Sequence, residues 1–323
     1  MNANLLVSSS SRKAPLVAVA QDAIKKATGG HVIAGDTDPR VRHLSLAKDF
    51  WQMPRTSDEN FDEIVTGCHD RGIAFVLPSR DSELRFWASR EKDFENEGIK
   101  VIVSSTNAIN LCRDKLKFYE ELKSQGDLSL IPTTLAPELI DSNSLVVKER
   151  FGSGSKSIFL NVSASDAREM AKGLEEPVFQ PFLRGREISV DAHFRRDGEL
   201  LGFIMRDRVV VVDGESQVTR SFSSLEIEKS IGSFLRTLGL LHGFFGPIVL
   251  QAIVSQEGEV SVLEINPRFG GASTLSVALG LKTVYWSLVD LAGGSLGDEL
   301  QTFKKPERDL ELRRFVIDSF VEV

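Results

Sequence analysis

Short apolar runs and helical stripes alternate through the first hundred residues. Leu5-Leu6-Val7 closes on a polar turn of four serines, and residues 14–27 repeat apolar positions at helical spacing. "HVIAGDTD" is a second apolar run, with Asp36 and Asp38 near its end. "NFDEIVTGCHDRG" predicts a helix closed by glycine, "IAFVLPSRDSEL" a strand, a turn and a helix start, "ASREKDFENEG" more helix, and "IKVIVSS" another strand. Strands separated by helices of this length form βαβ units and hence a parallel sheet, whose ligands gather beyond the carboxyl ends of the strands. That rule selects residues 8–11, Asp36 and residues 80–83.

The pattern changes after Ser105. "TNAINLCRDKLKFYEELKSQG" reads as one amphipathic helical stretch, and "LSLIPTT" as a short extended segment. "SLVVKER", "FGSGSKS" and "IFLNVS" form a hairpin with a Gly/Ser tip, followed by the helix "SASDAREMAKGL" and the strand "VFQPFL". Beyond Gly185 the reading is mostly antiparallel: "REISVDAHFRR", a turn at Asp197-Gly198, and "ELLGFIMRDRVVVV". A helix over residues 224–240 precedes "PIVLQAIVSQ", a turn at Glu257-Gly258, and "EVSVLEINP". The final "LRRFVIDSFVEV" alternates like one more strand.

Composition narrows what such a chain can do. A length of 323 residues predicts two or three lobes, and 41% apolar with 26% charged residues is ordinary for a globular protein. A net charge of −7 argues against coating nucleic acid or an anionic membrane, so any site for a phosphate-rich ligand must use locally placed Lys and Arg; a homodimer is compatible with this balance. Cys68 and Cys112 have no metal spacing, and the apolar run at residues 5–7 is too short for a signal-peptide core. The expected location is the cytoplasm.

"SVLEINPRFGG" holds the densest chemistry. Strand alternation puts Glu264 and Asn266 on one face with Arg268 close beyond, and their oxygens suit Mg²⁺. A strand ending in a polar turn explains the same letters. Gln251 lies thirteen residues earlier, and hairpin pairing through Glu257-Gly258 would set it beside Glu264. Lys148 precedes Gly152, Ser153, Gly154 and Ser155, a loop whose N–H groups can hold phosphate oxygens or simply form a solvated tip. It is not a Walker A loop, because Glu149 occupies the first-glycine position and no helix follows. Arg206, Arg208, Arg220 and Arg268 are candidates to neutralise a transferring phosphoryl group, or plain surface. The five histidines show no ligand spacing and no Gly-x-Ser-x-Gly elbow is present.

In order and spacing, residues 108–293 resemble an ATP-grasp enzyme, most similar to the carbamoyl-phosphate-synthase-like and PylC-like branch. "LLVSSSSRKAPLV" and "VLPSRDSEL" resemble the domain that precedes the ATP-grasp fold in that branch. The resemblance implies a Rossmann-like pre-ATP-grasp domain of parallel sheet (α/β, residues 1–105) and a two-lobed α+β ATP-grasp fold. Its small lobe with the phosphate-covering loop would span residues 106–183, and its large lobe with the metal site residues 184–323. It places Lys115 and Lys148 on the ATP phosphates, with residues 152–157 closing over them. Gln180 and the backbone of Phe182 and Leu183 would meet adenine, and Glu187 the ribose. Gln251, Glu264 and Asn266 match metal ligands, Glu264 bridging two Mg²⁺ ions that Mn²⁺ can replace. Arg268 matches the arginine that in such enzymes faces the γ-phosphate and the acyl phosphate. Gln180 departs from the glutamate of many relatives, and serines replace the glycine-rich first turn of the leading domain.

The activity implied is ATP-dependent activation of a carboxylate, an amino acid for instance, as an acyl phosphate that an amine attacks, with Arg268 and Arg206 as catalytic cations. Two alternatives keep the fold: a kinase-like enzyme whose product is the acyl or carbamoyl phosphate, and a catalytically silent nucleotide-binding module. The strand-end rule sets the substrate against Ser9, Arg80, Asp81 and Glu83, with Arg80 and Glu83 gripping the charged groups of an amino acid.

Overall fold

A computed structural model describes residues 3–44, 47–125, 128–152, 157–294 and 303–315. Its first strands are β1 (Asn4–Ser8), β2 (Val32–Asp36), β3 (Asp49–Gln52), β4 (Ile73–Pro78) and β5 (Lys100–Val101), paired in parallel in the order β3-β2-β1-β4-β5. Between them run α1 (Ala14–Thr28), α2 (Phe61–Asp70), α3 (Asp81–Ser89) and α4 (Glu91–Asn96). Helix α1 ends where Gly29 takes a left-handed φ of 76° and its N–H caps the Lys25 carbonyl. Leu5, Leu6 and Val7 are fully buried, because crossover helices cover both faces of a parallel sheet.

The apparent single helix after Ser105 is two: α5 (Thr106–Arg113) and α6 (Lys115–Leu122). Asp114 leaves the helical region at φ −101° and ψ 101°, and its Oδ1 accepts from the N–H groups of Leu116 and Lys117. A carboxylate at an N-cap position outweighs the continuous apolar stripe that suggested one helix. The Arg150 guanidinium clamps both Asp114 oxygens, at 2.7 and 2.5 Å.

Strand β6 (Ser129–Leu130) follows, and then a small antiparallel sheet of β7 (Leu145–Glu149), β8 (Ile158–Val162) and β9 (Pro177–Pro181) in the order β8-β7-β9, backed by α7 (Ala164–Ala171). The second large sheet holds β10 (Arg186–Phe194), β11 (Leu200–Val212), β12 (Glu215–Phe222), β13 (Gly246–Val254), β14 (Val260–Asn266) and β15 (Glu311–Arg313). Their order is β15-β12-β11-β10-β13-β14-β6, antiparallel throughout except where β6 meets β14. Helix α8 (Leu225–His242) buries Ile231, Phe234, Leu235 and Leu238 against β10 and β13.

Three sequence expectations change. Strands β3 and β12 had no reading of their own, "IKVIVSS" pairs only over Lys100–Val101, and the final strand is Glu311–Arg313, with residues 316–323 outside the described part. The short helices α9 (Thr274–Ala278) and α10 (Thr283–Leu291) close the lobe. Val284, Leu288 and Leu291 of α10 share one core with Leu16, Val17, Ala20 and Ile24 of α1, so the parallel-sheet domain and the large antiparallel sheet are packed together. No described helix is long and apolar enough to cross a membrane.

Candidate functional site

A cavity of about 550 Å³ lies between the small antiparallel sheet and the large one. Its small-sheet wall is Val146, Lys148, Ile158, Leu160 and Gln180, its large-sheet wall Glu187, Gln251, Ile253, Leu263, Glu264 and Asn266. Lys115, Phe182, Leu183, Arg208 and Arg268 also border it. Residues separated by more than a hundred positions therefore converge on one concave, partly apolar space of ordinary ligand-pocket size.

Its polar end is built on a hairpin. The antiparallel register of β13 and β14 sets Gln251 directly opposite Glu264, with a register shift just after Gln251. Period-two alternation carries Asn266 to the same face, and its Nδ2 donates to Glu264 Oε1 at 3.0 Å. Among the described residues no group of three or more His, Cys, Asp or Glu side chains is placed to hold an ion by itself. One carboxylate and two amide oxygens are a poor resident cage, but they fit a hard cation that brings phosphate oxygens as its other ligands.

Two lysines face that end. Lys148, near the end of β7, is 7% exposed. Burial pushes its pKa down from 10.5 to about 8, Glu264 opposes the drop and Lys115 adds to it. Burial lowers Lys115 as well, against the pull of Glu264, Glu149, Asp114 and Asp81. Lys115 begins α6 because Asp114 breaks the helix, and its Nζ donates to the carbonyls of Gly152 and Arg150 at 2.6 and 3.3 Å. Ser153, Gly154 and Ser155 lie outside the described residues.

At the apolar end Gln180 is buried, its Nε2 donating to Thr133 Oγ1 at 2.7 Å. The Phe182 N–H is bonded to the Ser144 carbonyl, so it is already occupied, while Phe182 and Leu183 both border the cavity. Glu187 meets Arg208 Nε at 2.8 Å, and burial pushes its carboxyl pKa up.

The arginines and the leading-domain residues depart most from expectation. Arg268 is bonded through Nε and Nη2 to both oxygens of Asp81 at 2.8 and 2.7 Å, which ties β14's turn to the start of α3. Arg206 is 2% exposed and chelated by Asp191, so it borders the site with its charge already compensated rather than aimed at a ligand. Glu83 is corrected outright: 2% exposed, its Oε1 accepts from Ser79 N and Arg80 N, and its Oε2 from Trp87 Nε1, which makes it the buried cap of α3. Arg80 reaches Ser11 Oγ, and Ser9 turns at φ 50° with its carbonyl on Ser79 Oγ. Instead of Ser9, Arg80 and Glu83, Lys13 of the same loop lines the open space beside Arg268, and Arg12 lines the next space out. The serine run drew attention to the loop, but its basic neighbours face the chamber.

The pattern of the ATP-grasp domain matches residues 112–272, and that of the PylC-like N-terminal domain matches residues 5–102. An uncharacterised protein of Mycoplasma genitalium is 29% identical over 144 residues, 43% of this chain and 48% of that protein, so the chain spans about half the length of that relative. A D-alanine–D-alanine ligase of Fusobacterium nucleatum is 23% identical over 252 residues, 72% of this chain and 86% of that one. In three dimensions an L-amino acid ligase from Bacillus licheniformis aligns with a TM-score of 0.70 at 17% identity, over 96% of this chain and 79% of that chain. The ADP complex of an N5-carboxyaminoimidazole synthetase from Staphylococcus aureus aligns at 0.71 and 16%, over 92% and 79%.

Proposed function

The chain belongs to the ATP-grasp family, and from that premise we propose that it is a ligase joining a small-molecule carboxylate to an amine through an acyl phosphate. One observation carries the reading: Glu264, with Asn266 and Gln251, occupies the polar end of the cavity that Lys115 and Lys148 also line. The leading parallel sheet would shape the acceptor side, residues 106–183 the phosphate-covering lobe, and residues 184–323 the metal lobe.

In this reading the nucleotide base lies toward Gln180, Phe182 and Leu183, and the phosphates run toward Lys115 and Lys148. Mg²⁺ bound with the nucleotide, two ions in our proposal, would supply charge neutralisation, and Gln251, Glu264 and Asn266 are the residues to hold it. A substrate carboxylate oxygen attacks the γ-phosphorus and ADP leaves; the amine then attacks the acyl carbon and phosphate leaves. Water is a poor leaving group and phosphate a good one, which is the use of ATP here. Arg268, held by both oxygens of Asp81 but more open than Arg206, would orient the reacting carboxylate by sharing or exchanging that contact. Incubation with ATP, Mg²⁺ and pools of carboxylates and amines is expected to release ADP and phosphate in equal amounts. Release of AMP and pyrophosphate would defeat the proposal.

Lys148 gives the proposal a pH signature. With its pKa near 8, the side chain is mostly charged at pH 7 and mostly neutral at pH 9. Phosphate oxygens beside it favour the ammonium, so binding nucleotide above pH 8 takes up a proton and weakens as pH rises. The dissociation constant for Mg²⁺–ADP should stay flat toward pH 7 and climb about tenfold per unit above 8. Calorimetry at pH 9 in two buffers of different ionisation enthalpy should report uptake approaching one proton. A dissociation constant unchanged between pH 7.5 and 9.5 would show that Lys148 stays charged throughout that range and would defeat this pH signature.

A further inference from the structure

Two smaller chambers lead away from the large cavity, the inner one bordering it and the outer one bordering the inner. An inner one of about 100 Å³ shares Arg208, Gln251, Asn266 and Arg268 with it. An outer one of about 370 Å³ shares Lys13, Glu215, Gly270, Gly271 and Arg314 with the inner one, and adds Arg12 and Arg313. The path thus runs from the metal end, past Arg268, to a space with four cationic side chains on its border, in a protein whose net charge is −7.

Those cations differ in what holds them. Arg314 meets Glu215 at 2.7 Å and Arg313 meets Glu311 at 2.6 Å. Arg12 and Lys13 have no carboxylate within ion-pair reach among the described residues. Lys13 is the telling one, since it is half-buried, lines both chambers, and is pushed down in pKa by burial and then by the charge of Arg268, with Glu215 and Asp81 opposing the drop without reversing it. The loop holds it there at a conformational cost: Ser9 and Arg12 take left-handed φ values of 50° and 59°, which side chains rarely adopt. A half-buried cation with no carboxylate in ion-pair contact, felt by Glu215 and Asp81 only at a distance and presented by a strained loop between two chambers, is suited to an anion that arrives with the ligand.

We propose that the outer chamber binds a second anionic group of the acyl substrate, so that the carboxylate activated by this enzyme belongs to a dianion. The inference rests on the ligase reading, which puts the reacting carboxylate beside Arg268; the second group then falls between Lys13 and Arg12. A zwitterionic amino acid fits less well, because its ammonium needs an acceptor and the carboxylate on this border, Glu215, already holds Arg314. A second carboxylate and a phosphate ester share the required chemistry.

The test is a calorimetric titration of the full chain saturated with Mg²⁺ and a non-hydrolysable ATP analogue. The probes are a C4–C6 dicarboxylate series, 3-phosphoglycerate as the phosphate arm, and butyrate as the single-charge control. At least one dianion should bind tenfold or more tightly than butyrate, and the tighter arm identifies the second group. Lys13→Met should cut that preference about tenfold with nucleotide affinity unchanged; Arg12→Gln, at an exposed position, should cut it less. Butyrate binding as well as every dianion overturns the inference, as does a preference that survives both substitutions. ADP release without any dianion preference defeats this inference alone. A Lys13-dependent preference with no ADP release from any carboxylate and amine pair defeats the ligase reading alone and leaves the anion site standing.

Discussion

Glu264→Ala is expected to lower turnover by about 10³-fold or more while nucleotide still binds. Glu264 is the charged member of the Gln251, Glu264 and Asn266 trio, so alanine leaves two neutral amides to meet a divalent cation. It also contributes to the field that keeps Lys148 and Lys115 protonated, and without it both lysines should lose protons more easily. The apolar wall of Val146, Ile158, Leu160 and Ile253 is untouched, which is why base binding should persist. Steady-state ADP release together with a nucleotide titration separates the two effects. Turnover within tenfold of the unaltered chain would show that Glu264 holds no metal. Glu264→Gln should recover packing but not rate, which isolates the charge from the shape.

Legibility in the sequence follows distance along the chain. The parallel-sheet domain was readable because each βαβ unit is local: "NLLVSSS", α1 and "HVIAGDTD" announce themselves by period alone. The Gln251 to Glu264 pairing was readable for the same reason, as one turn at Glu257-Gly258 fixes the register. Glu83 reads as a substrate contact because a charge one turn into a helix ordinarily stands open to solvent and ligand, whereas Trp87 four residues later and the backbone of residues 79–80 enclose its carboxylate. Arg206 was misread because its partner Asp191 lies across a strand pair whose facing sides cannot be told apart from alternation alone. The break at Asp114 was masked by a helical stripe that continues across it. The packing of α1 on α10 joins segments more than 250 positions apart and left no periodic trace in either.

The contact between the two domains has a functional consequence through Arg268. Its guanidinium is placed by Asp81, a residue of the parallel-sheet domain, although its backbone belongs to the turn that follows β14. The arginine we propose for the phosphoryl-transfer end is therefore oriented by the domain proposed to shape the acceptor side. A reacting carboxylate entering there would compete with, or share, the Asp81 contact, so substrate binding and the position of Arg268 are physically linked.

Asp191→Ala should be the most damaging single change to stability, by about 3–5 kcal/mol. Both Asp191 and Arg206 are 2% exposed. Arg206 approaches with Nε at 2.8 Å and Nη2 at 3.3 Å, while the hydroxyls of Ser273 and Ser276 donate to the two carboxylate oxygens. Four donors thus converge on one carboxylate, linking β10 and β11 to the segment that carries Gly270. Alanine leaves a guanidinium and two hydroxyls without their acceptor in a place water does not reach. The double change Asp191→Ala with Arg206→Met should be milder than Asp191→Ala alone, because it removes the stranded charge together with its partner. Native-state amide exchange along β10 and β11 reads the loss where it occurs and avoids assuming that a chain of several lobes unfolds in one step. If exchange there speeds by less than about fivefold, equivalent to roughly 1 kcal/mol, the pair is solvated in solution and the network does not hold the two strands to the Gly270 segment.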